Sequence, residues 1–321
     1  MDLISAAKSF SLRRPLLNRL DKASRALLLP DGGPAVDFRH PAGEPALSTP
    51  DSVSWRIFKN PVSLFIGGVA AVILELAEPR VRTGVWEHSG FRVDPVRRLR
   101  RTGLAAMITV YGARSTAEAM IAGIRRMHDR VQGETPAGEA YRANDVELLN
   151  WVHATAAFGF LQAYHTYVRP LTASDRDRYY GEGGLVAGLY GATAVPASEA
   201  EIAAFFEAAH PRLERSPIVL QFLDIMRNAP VMPALLRSSQ PLLVRAAVSL
   251  TPGWARQILG LGDNICLRPW QGLLVKQAGS LADRIILESS PAVQACERLG
   301  LPGNYLYKKS TGSFRRVARE L

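Results

Sequence analysis

The chain contains 321 residues, 47% of them hydrophobic and 21% charged, with a formal net charge of +10. This is the composition of a globular protein with a sizeable core, and it excludes an intrinsically disordered chain. Two cysteines, Cys266 and Cys296, are too few for a disulfide framework and lack the spacing of a zinc site, which argues against a secreted, disulfide-stapled protein.

The basic charge alone does not identify a partner. Most of the basic residues are arginines, and several lie in apolar segments of helical periodicity, where a guanidinium often serves a buried anion. No recognition motif accompanies the charge, so we expect no nucleic-acid partner. The alternative is a membrane-surface or nucleic-acid interaction protein, whose binding would fall steeply with added salt.

The first fifty residues have the pattern of an arm before the main domain. Residues 1–30 lack the continuous apolar segment of a secretory signal, and we expect a cytoplasmic protein. An amphipathic surface helix in this segment would provide a peripheral membrane contact, which stays open. Residues 31–51 are rich in proline and glycine, as linkers are. We therefore predict an arm over 1–50, a main domain over 51–300 and a basic tail over 301–321.

From Trp55 onward the apolar residues recur at helical spacing, and no alternating run predicts a strand. The longest apolar run, Val62 to Ala77, is interrupted by Glu75 and is shorter than the ~20 residues of a membrane span, so it predicts a buried core helix. The predicted fold is therefore all-α, a single large helical domain preceded by an irregular N-terminal arm.

Polar residues mark several helix starts. Ser115 with Glu118 and Ser198 with Glu201 have capping-box spacing, and Thr172 is a third polar start. We expect Gly133 to end the helix that begins at Ser115. The other predicted helices cover Val146–Tyr167, Ile202–Ala209, Ile218–Arg227, Pro233–Leu250 and Trp270–Leu287.

Two histidines fall on the apolar faces of consecutive predicted helices. His128 follows Ile121 and Ile124 on one stripe, and His153 lies on another, among small residues that leave room for a flat group or permit close helix packing. Each has two interpretations: a core histidine bonded to a carbonyl, or a neutral imidazole facing a buried metal or cofactor.

Arg98, Arg101 and Thr102 share one face of a predicted helix, at positions i, i+3 and i+4. Polar groups on an apolar stripe need partners, because burying one alone costs on the order of 2–7 kcal/mol. The partner is either an anionic cofactor group or a bound oxygen species, or else a carboxylate such as Asp94 or Glu87.

The motifs occur in an order that resembles one family, the catalytic domain shared by latex-clearing rubber oxygenases and MpaB-type oxygenases of mycophenolic-acid biosynthesis. The resemblance covers about residues 55–290 and is closer to the MpaB branch. It is carried by LELAEP (74–79), GVWEHSGFRVDPVRRLRRT (84–102), MHDRVQG (127–133), YRANDVELLNWVHAT (141–155), LTASDRDRYYGE (171–182) and VPAS (195–198).

The resemblance implies a helical fold that encloses a pocket for one non-covalent haem b. His128 matches the family's proximal iron ligand, and the Arg-x-x-Lys-Thr motif matches Arg98, Arg101 and Thr102. Arginine is a poor iron ligand, so the distal position is expected to be open, to hold water or to be taken by another residue. Glu75 and Glu78 stand where the MpaB branch has glutamine and histidine.

On this resemblance we expect a haem-dependent oxygenase that uses dioxygen on a lipophilic substrate, such as an isoprenoid or another alkene. His128 would bind iron, Arg98 would pair with a propionate, Arg101 and Thr102 would hydrogen-bond the bound oxygen, and His153 would line the pocket. The alternative is a non-catalytic haem- or lipid-binding helical protein, in which the substituted positions have removed the activity.

Overall fold

The computed structural model describes residues 36–308, together with Asn18, Asp21 and Lys22. These residues form helices joined by short connections, and the predicted all-α class is confirmed. The first helices are α1 (Val53–Phe58), α2 (Pro61–Glu75), α3 (Pro79–His88), α4 (Pro95–Tyr111) and α5 (Arg114–His128). After a small hairpin follow α6 (Val146–Tyr167), α7 (Ala173–Glu182), α8 (Gly184–Tyr190), α9 (Glu199–Ala209) and α10 (Pro217–Asn228). The last are α11 (Gln240–Leu250), α12 (Gly253–Leu259), α13 (Pro269–Ala282) and α14 (Pro291–Arg298).

The long helix α6 is the centre of the fold, with α2 crossing it closely and α11 and α13 packing beside it. Two glycines allow this approach. A Cβ at Gly67 would lie 2.8 Å from the carbonyl oxygen of Gly159, and a Cβ at Gly159 would overlap the backbone of Gly67. Gly159 thus serves close helix packing, one of the two uses predicted for the small residues around His153.

Helix starts follow the capping rules in most places. Ser198 and Thr172 accept hydrogen bonds from the first-turn amides of α9 and α7, as the sequence predicts. The prediction of a capping box at Ser115 is wrong. The helix begins one residue earlier, without a side-chain cap, and the Ser115 amide and hydroxyl donate to the Glu44 carboxylate at 2.6 and 3.0 Å.

The predicted end of that helix at Gly133 is also wrong. The helix α5 ends at His128, and Gly133 lies in a short strand, β1 (Gln132–Glu134), which pairs antiparallel with β2 (Ala140–Arg142). A Cβ at Gly133 would lie 2.7 Å from the hydroxyl of Tyr141, its partner across the hairpin. Glycine is therefore required here by a neighbouring ring and not by a helix end.

The described part of the N-terminal segment packs on α14. Phe38 is buried, and the Arg298 guanidinium donates to the carbonyls of Phe38 and Glu44, each at 2.8 Å. The surface helix considered for residues 1–30 lies outside the described residues, except for the three positions named above, and so does the tail beyond Lys308.

Within the described ranges, no single helix has both the length and the apolar character for crossing a membrane. The consecutive pair α2 and α3 meets that test jointly, with a bend of 115° between its two helices.

Candidate active site

Half-buried stripes on two neighbouring helices mark the region of interest. On the central helix α6, His153, Ala156 and Phe160 keep partial exposure along one side. On α2 the half-buried stripe runs through Val72 to Glu75, and the Cβ position of Gly68 lies 3.8 Å from the Phe160 ring. The two stripes therefore adjoin, one turn along from the glycine crossing.

Arg98, Arg101 and Thr102 lie on α4 as predicted, with Arg98 half-buried and the other two exposed. The Thr102 hydroxyl donates to the Arg98 carbonyl at 2.9 Å and accepts from the Arg98 guanidinium. Within the described part of the chain, Arg101 makes neither a hydrogen bond nor an ion pair. Thr102 thus holds the side chain of Arg98 in place.

The expected alternative partners of Arg98 do not pair with it. Asp94 caps α4 by accepting from the amide of Arg97 at 3.1 Å, and Glu87 is exposed. The carboxylate that interacts electrostatically with Arg98 is that of Glu75 on α2. The two side chains form no direct ion pair. Burial lowers the pKa of Arg98, the charge of Glu75 opposes that shift, and Arg101 adds to it.

Glu75 carries a large electrostatic perturbation. Burial raises the pKa of Glu75 to about 7, and the nearby positive charge of Arg98 only partly offsets that effect. Glu78, the other substituted position, has a structural role: its carboxylate caps α3 by accepting from the Val81 amide at 2.8 Å and from Arg80 Nε at 2.7 Å. Of the two substituted positions, Glu75 is therefore the one next to Arg98.

His128 is the last residue of α5 and is half-buried. Burial first, and then the charge of Arg98, lower the pKa of His128, while the nearby Asn144 side chain and the charge of Asp129 oppose the shift. The imidazole is therefore favoured in its neutral form, which is the form that binds a metal. Arg98 and His128 are neighbours, although 30 positions separate them in the sequence.

Asn144 holds this end of α5. Its Nδ2 donates to the Arg125 carbonyl at 3.0 Å and to the Asp129 carboxylate at 2.7 Å. Its Oδ1 is buried and makes no hydrogen bond within the described residues. The Asn144 side chain lies near enough to the His128 ring to favour the protonated imidazole.

His153 occupies a separate position beside α8. Its Nε2 lies 3.1 Å from where a Cβ on Gly183 would be, and within the described residues it makes no hydrogen bond. Burial alone lowers the pKa of His153 to about 4, with no contribution from a charged neighbour. The structure thus groups Glu75, Arg98 and His128 electrostatically and leaves His153 outside that group.

Helix α8 lies along the same stripe of α6. Its C-terminal glycine, Gly191, has a φ of 100°, and a Cβ there would lie 3.2 Å from Leu149. Tyr190 at the end of α8 meets Thr109 of α4, with 3.1 Å between the hydroxyl oxygens. A tyrosine–threonine contact therefore connects α8 to α4.

The sequence analysis did not include Glu75, Asn144 or Tyr190 among the site residues. Glu75 stood out as a charge inside the longest apolar run and as a substituted family position, and Asn144 lies within the motif over 141–155. Tyr190 lies outside every motif quoted above. In the described part of the chain no three His, Cys, Asp or Glu side chains gather into a metal-binding group.

Comparison with known families supplies the decisive observation. Residues 55–276 match the model of a family described as ER-bound oxygenase mpaB/B'/Rubber oxygenase, catalytic domain. The chain belongs to this family. The match spans α1 to the middle of α13 and includes every site residue discussed above. No curated protein and no solved structure gave a significant match. Membership identifies an oxygenase domain of the mpaB and rubber-oxygenase type.

Proposed function

We propose that the protein is a haem b-dependent oxygenase in which His128 would bind the iron. The observation that carries the proposal is the half-buried imidazole of His128 near Arg98, with its pKa lowered by burial, in a chain that belongs to this oxygenase family. A bound haem would supply the iron chemistry that activates dioxygen, and the protein supplies binding, orientation and an apolar environment.

The donor set suits a haem. Arg98 is half-buried and has no direct carboxylate partner, and Arg101 on the same face has no partner in the described chain. Two guanidiniums without a carboxylate partner on one helix face would suit the anionic propionates of a porphyrin. Because the Thr102 hydroxyl is engaged by Arg98, we assign Thr102 the orientation of Arg98 and not a contact with dioxygen.

The remaining side chains would shape the pocket. Asn144 lies beside His128 and would help to orient its ring, as neighbouring polar groups do for iron-binding histidines. Glu75, with a pKa of about 7, is able to hold or release a proton near neutral pH. The stripe from His153 to Phe160 is mostly apolar and fits a lipophilic substrate such as an isoprenoid or another alkene.

The test is an absorption spectrum of protein reconstituted with haem. We expect a Soret band in the wild type and its loss in His128→Ala. His40→Ala is the matched control, because His40 is exposed and contacts only Asp37 of its own loop. Equal haem binding by the wild type and by His128→Ala would refute the assignment of the ligand.

Oxygen uptake separates the enzyme from a non-catalytic haem- or lipid-binding protein. The haem-loaded wild type should consume dioxygen when alkene substrates are added. A protein that retains its Soret band but takes up no oxygen with any alkene would favour the non-catalytic alternative.

A further inference from the structure

The exposed apolar side chains of the described chain concentrate on one helix. Five of the twelve large apolar residues that are exposed lie between positions 270 and 286. On α13, Trp270, Leu273, Leu274 and Leu281 are 56%, 65%, 47% and 63% exposed. Their spacing of i, i+3, i+4 and i+11 places all four on one side of the helix.

The opposite side of α13 is fixed against the core. Val275 and Gly279 are buried, and a Cβ at Gly279 would overlap the carbonyl of Tyr167 at the end of α6. A rotation that buried the leucines would therefore drive a side chain into the backbone of α6. The exposed apolar stripe is thus set by the packing of α13 on the core.

Basic residues border the stripe, and exposed acids are absent from it. Arg268, Lys276 and Arg284 are exposed. The one acid between positions 268 and 287, Asp283, is buried and paired with Lys59 at 2.6 Å. Arg284 also lines a shallow surface depression together with Arg169. We call this surface, Trp270, Leu273, Leu274 and Leu281 with the bordering basic residues, the α13 face.

We propose that the α13 face binds an anionic lipid membrane in the plane of its surface. Exposed tryptophan and leucine bordered by lysine and arginine form the pattern of a helix that lies at a membrane interface. The apolar side chains would enter the acyl boundary, and the basic residues would contact anionic headgroups. This inference is independent of haem binding.

Charge favours an anionic membrane as the partner of the α13 face over a second copy of the chain or a terminal segment. A second copy of the chain would place one basic face against another. Residues 1–35 contain six lysines and arginines against three aspartates, and residues 309–321 contain four against one glutamate. Both terminal segments are therefore basic, like the face itself, whereas an anionic membrane has the complementary charge.

Vesicle flotation of the full-length chain tests the proposal. We expect the wild type to float with vesicles of phosphatidylcholine and phosphatidylglycerol, and to float less at high salt or with phosphatidylcholine alone. Leu273→Glu/Leu281→Glu should reduce the bound fraction by about tenfold or more. Leu220→Glu is the matched control, since Leu220 is 47% exposed on α10 and should leave flotation unchanged.

Tryptophan fluorescence gives a second, independent readout. All five tryptophans lie in the described chain, and only Trp270 among them is exposed. Anionic vesicles should shift its emission to shorter wavelength and protect it from acrylamide, and Trp270→Phe should remove the shift while the protein remains folded by circular dichroism.

Three results would overturn the proposal. A wild type that floats with neither kind of vesicle does not bind membranes. A Leu273→Glu/Leu281→Glu variant that floats like the wild type would place the contact elsewhere in the chain. A wild-type dimer that the same variant converts to a monomer, without flotation, would assign the α13 face to a second copy.

Discussion

At the residue scale, burial shifts the pKa values of two titratable groups in opposite directions. It raises the pKa of Glu75 to about 7 and lowers the pKa of His153 to about 4. Both groups are thereby favoured in their uncharged forms near pH 6. The folded state holds an extra proton on Glu75 between pH 4.5 and 7, while the unfolded state holds an extra one on His153 between pH 4 and 6.5. The two slopes of stability against pH largely cancel.

Replacing Glu75 should reveal the pH dependence of the free energy of unfolding that His153 causes. In Glu75→Gln the penalty for ionising a buried carboxyl disappears. We expect its free energy of unfolding to equal that of the wild type near pH 4.5 and to exceed it by about 2–3 kcal/mol above pH 7. Urea unfolding of the haem-free protein across this pH range measures the difference.

The exposed Glu118 on α5 provides the control, because Glu118→Gln removes a carboxylate of the same type from the surface. Its free energy of unfolding should follow that of the wild type at every pH. A constant difference between Glu75→Gln and the wild type from pH 4.5 to pH 8 would show that Glu75 titrates normally in the folded state.

At the element scale, the contact of α2 with α6 depends on two glycines. Gly159→Ala should destabilise the protein by about 1–3 kcal/mol, since the new Cβ overlaps the Gly67 backbone and lies 3.1 Å from the Ala71 amide nitrogen. The midpoint of urea unfolding checks this. Gly272→Ala in α13 is the control: its Cβ would meet nothing within 4 Å, and it should stabilise by about 0.5–1 kcal/mol. Equal effects of the two substitutions would contradict the close crossing.

The sequence predicts elements well where the signal is local. The span Val146–Tyr167 agrees with α6, and the caps at Thr172 and Ser198 form as expected. The predicted start and end of α5 were wrong because both depend on residues that are not part of the helix. Glu44, 71 positions away, binds Ser115, and the hairpin that includes Gly133 has too few residues to show an alternating pattern.

In the candidate site, too, only the features that depend on local sequence spacing could be predicted. Helical spacing places Arg98 and Thr102 on one face, as observed on α4. Their charge-based link to His128 through Arg98 appears only in the folded chain. The involvement of Glu75 was not predicted, because its pKa depends on burial and on the charge of Arg98, which lies on another helix. Local spacing identifies a face of one helix, and only tertiary packing identifies the group opposite it.

At the scale of the whole molecule, α6 contains the half-buried stripe of the candidate site and also packs against α13. His153 lies in the first half of α6, and Tyr167, the residue beneath Gly279 of α13, is its last. Fourteen residues of helix separate them, or about 20 Å. A membrane contact at α13 and a lipophilic pocket along α6 would thus share one rigid support, although each proposal is tested separately.

Haem binding should also stabilise the whole fold, because a ligand that binds only the native state shifts the unfolding equilibrium. At a haem concentration one hundred times the dissociation constant, the gain is about 2.7 kcal/mol, which raises the unfolding temperature by on the order of 5 °C. Metal-free protoporphyrin IX separates porphyrin burial from the bond between iron and His128. The wild type should gain more from haem than from protoporphyrin, while His128→Ala should gain equally little from both. If haem stabilises His128→Ala as much as the wild type, the iron is held by another residue.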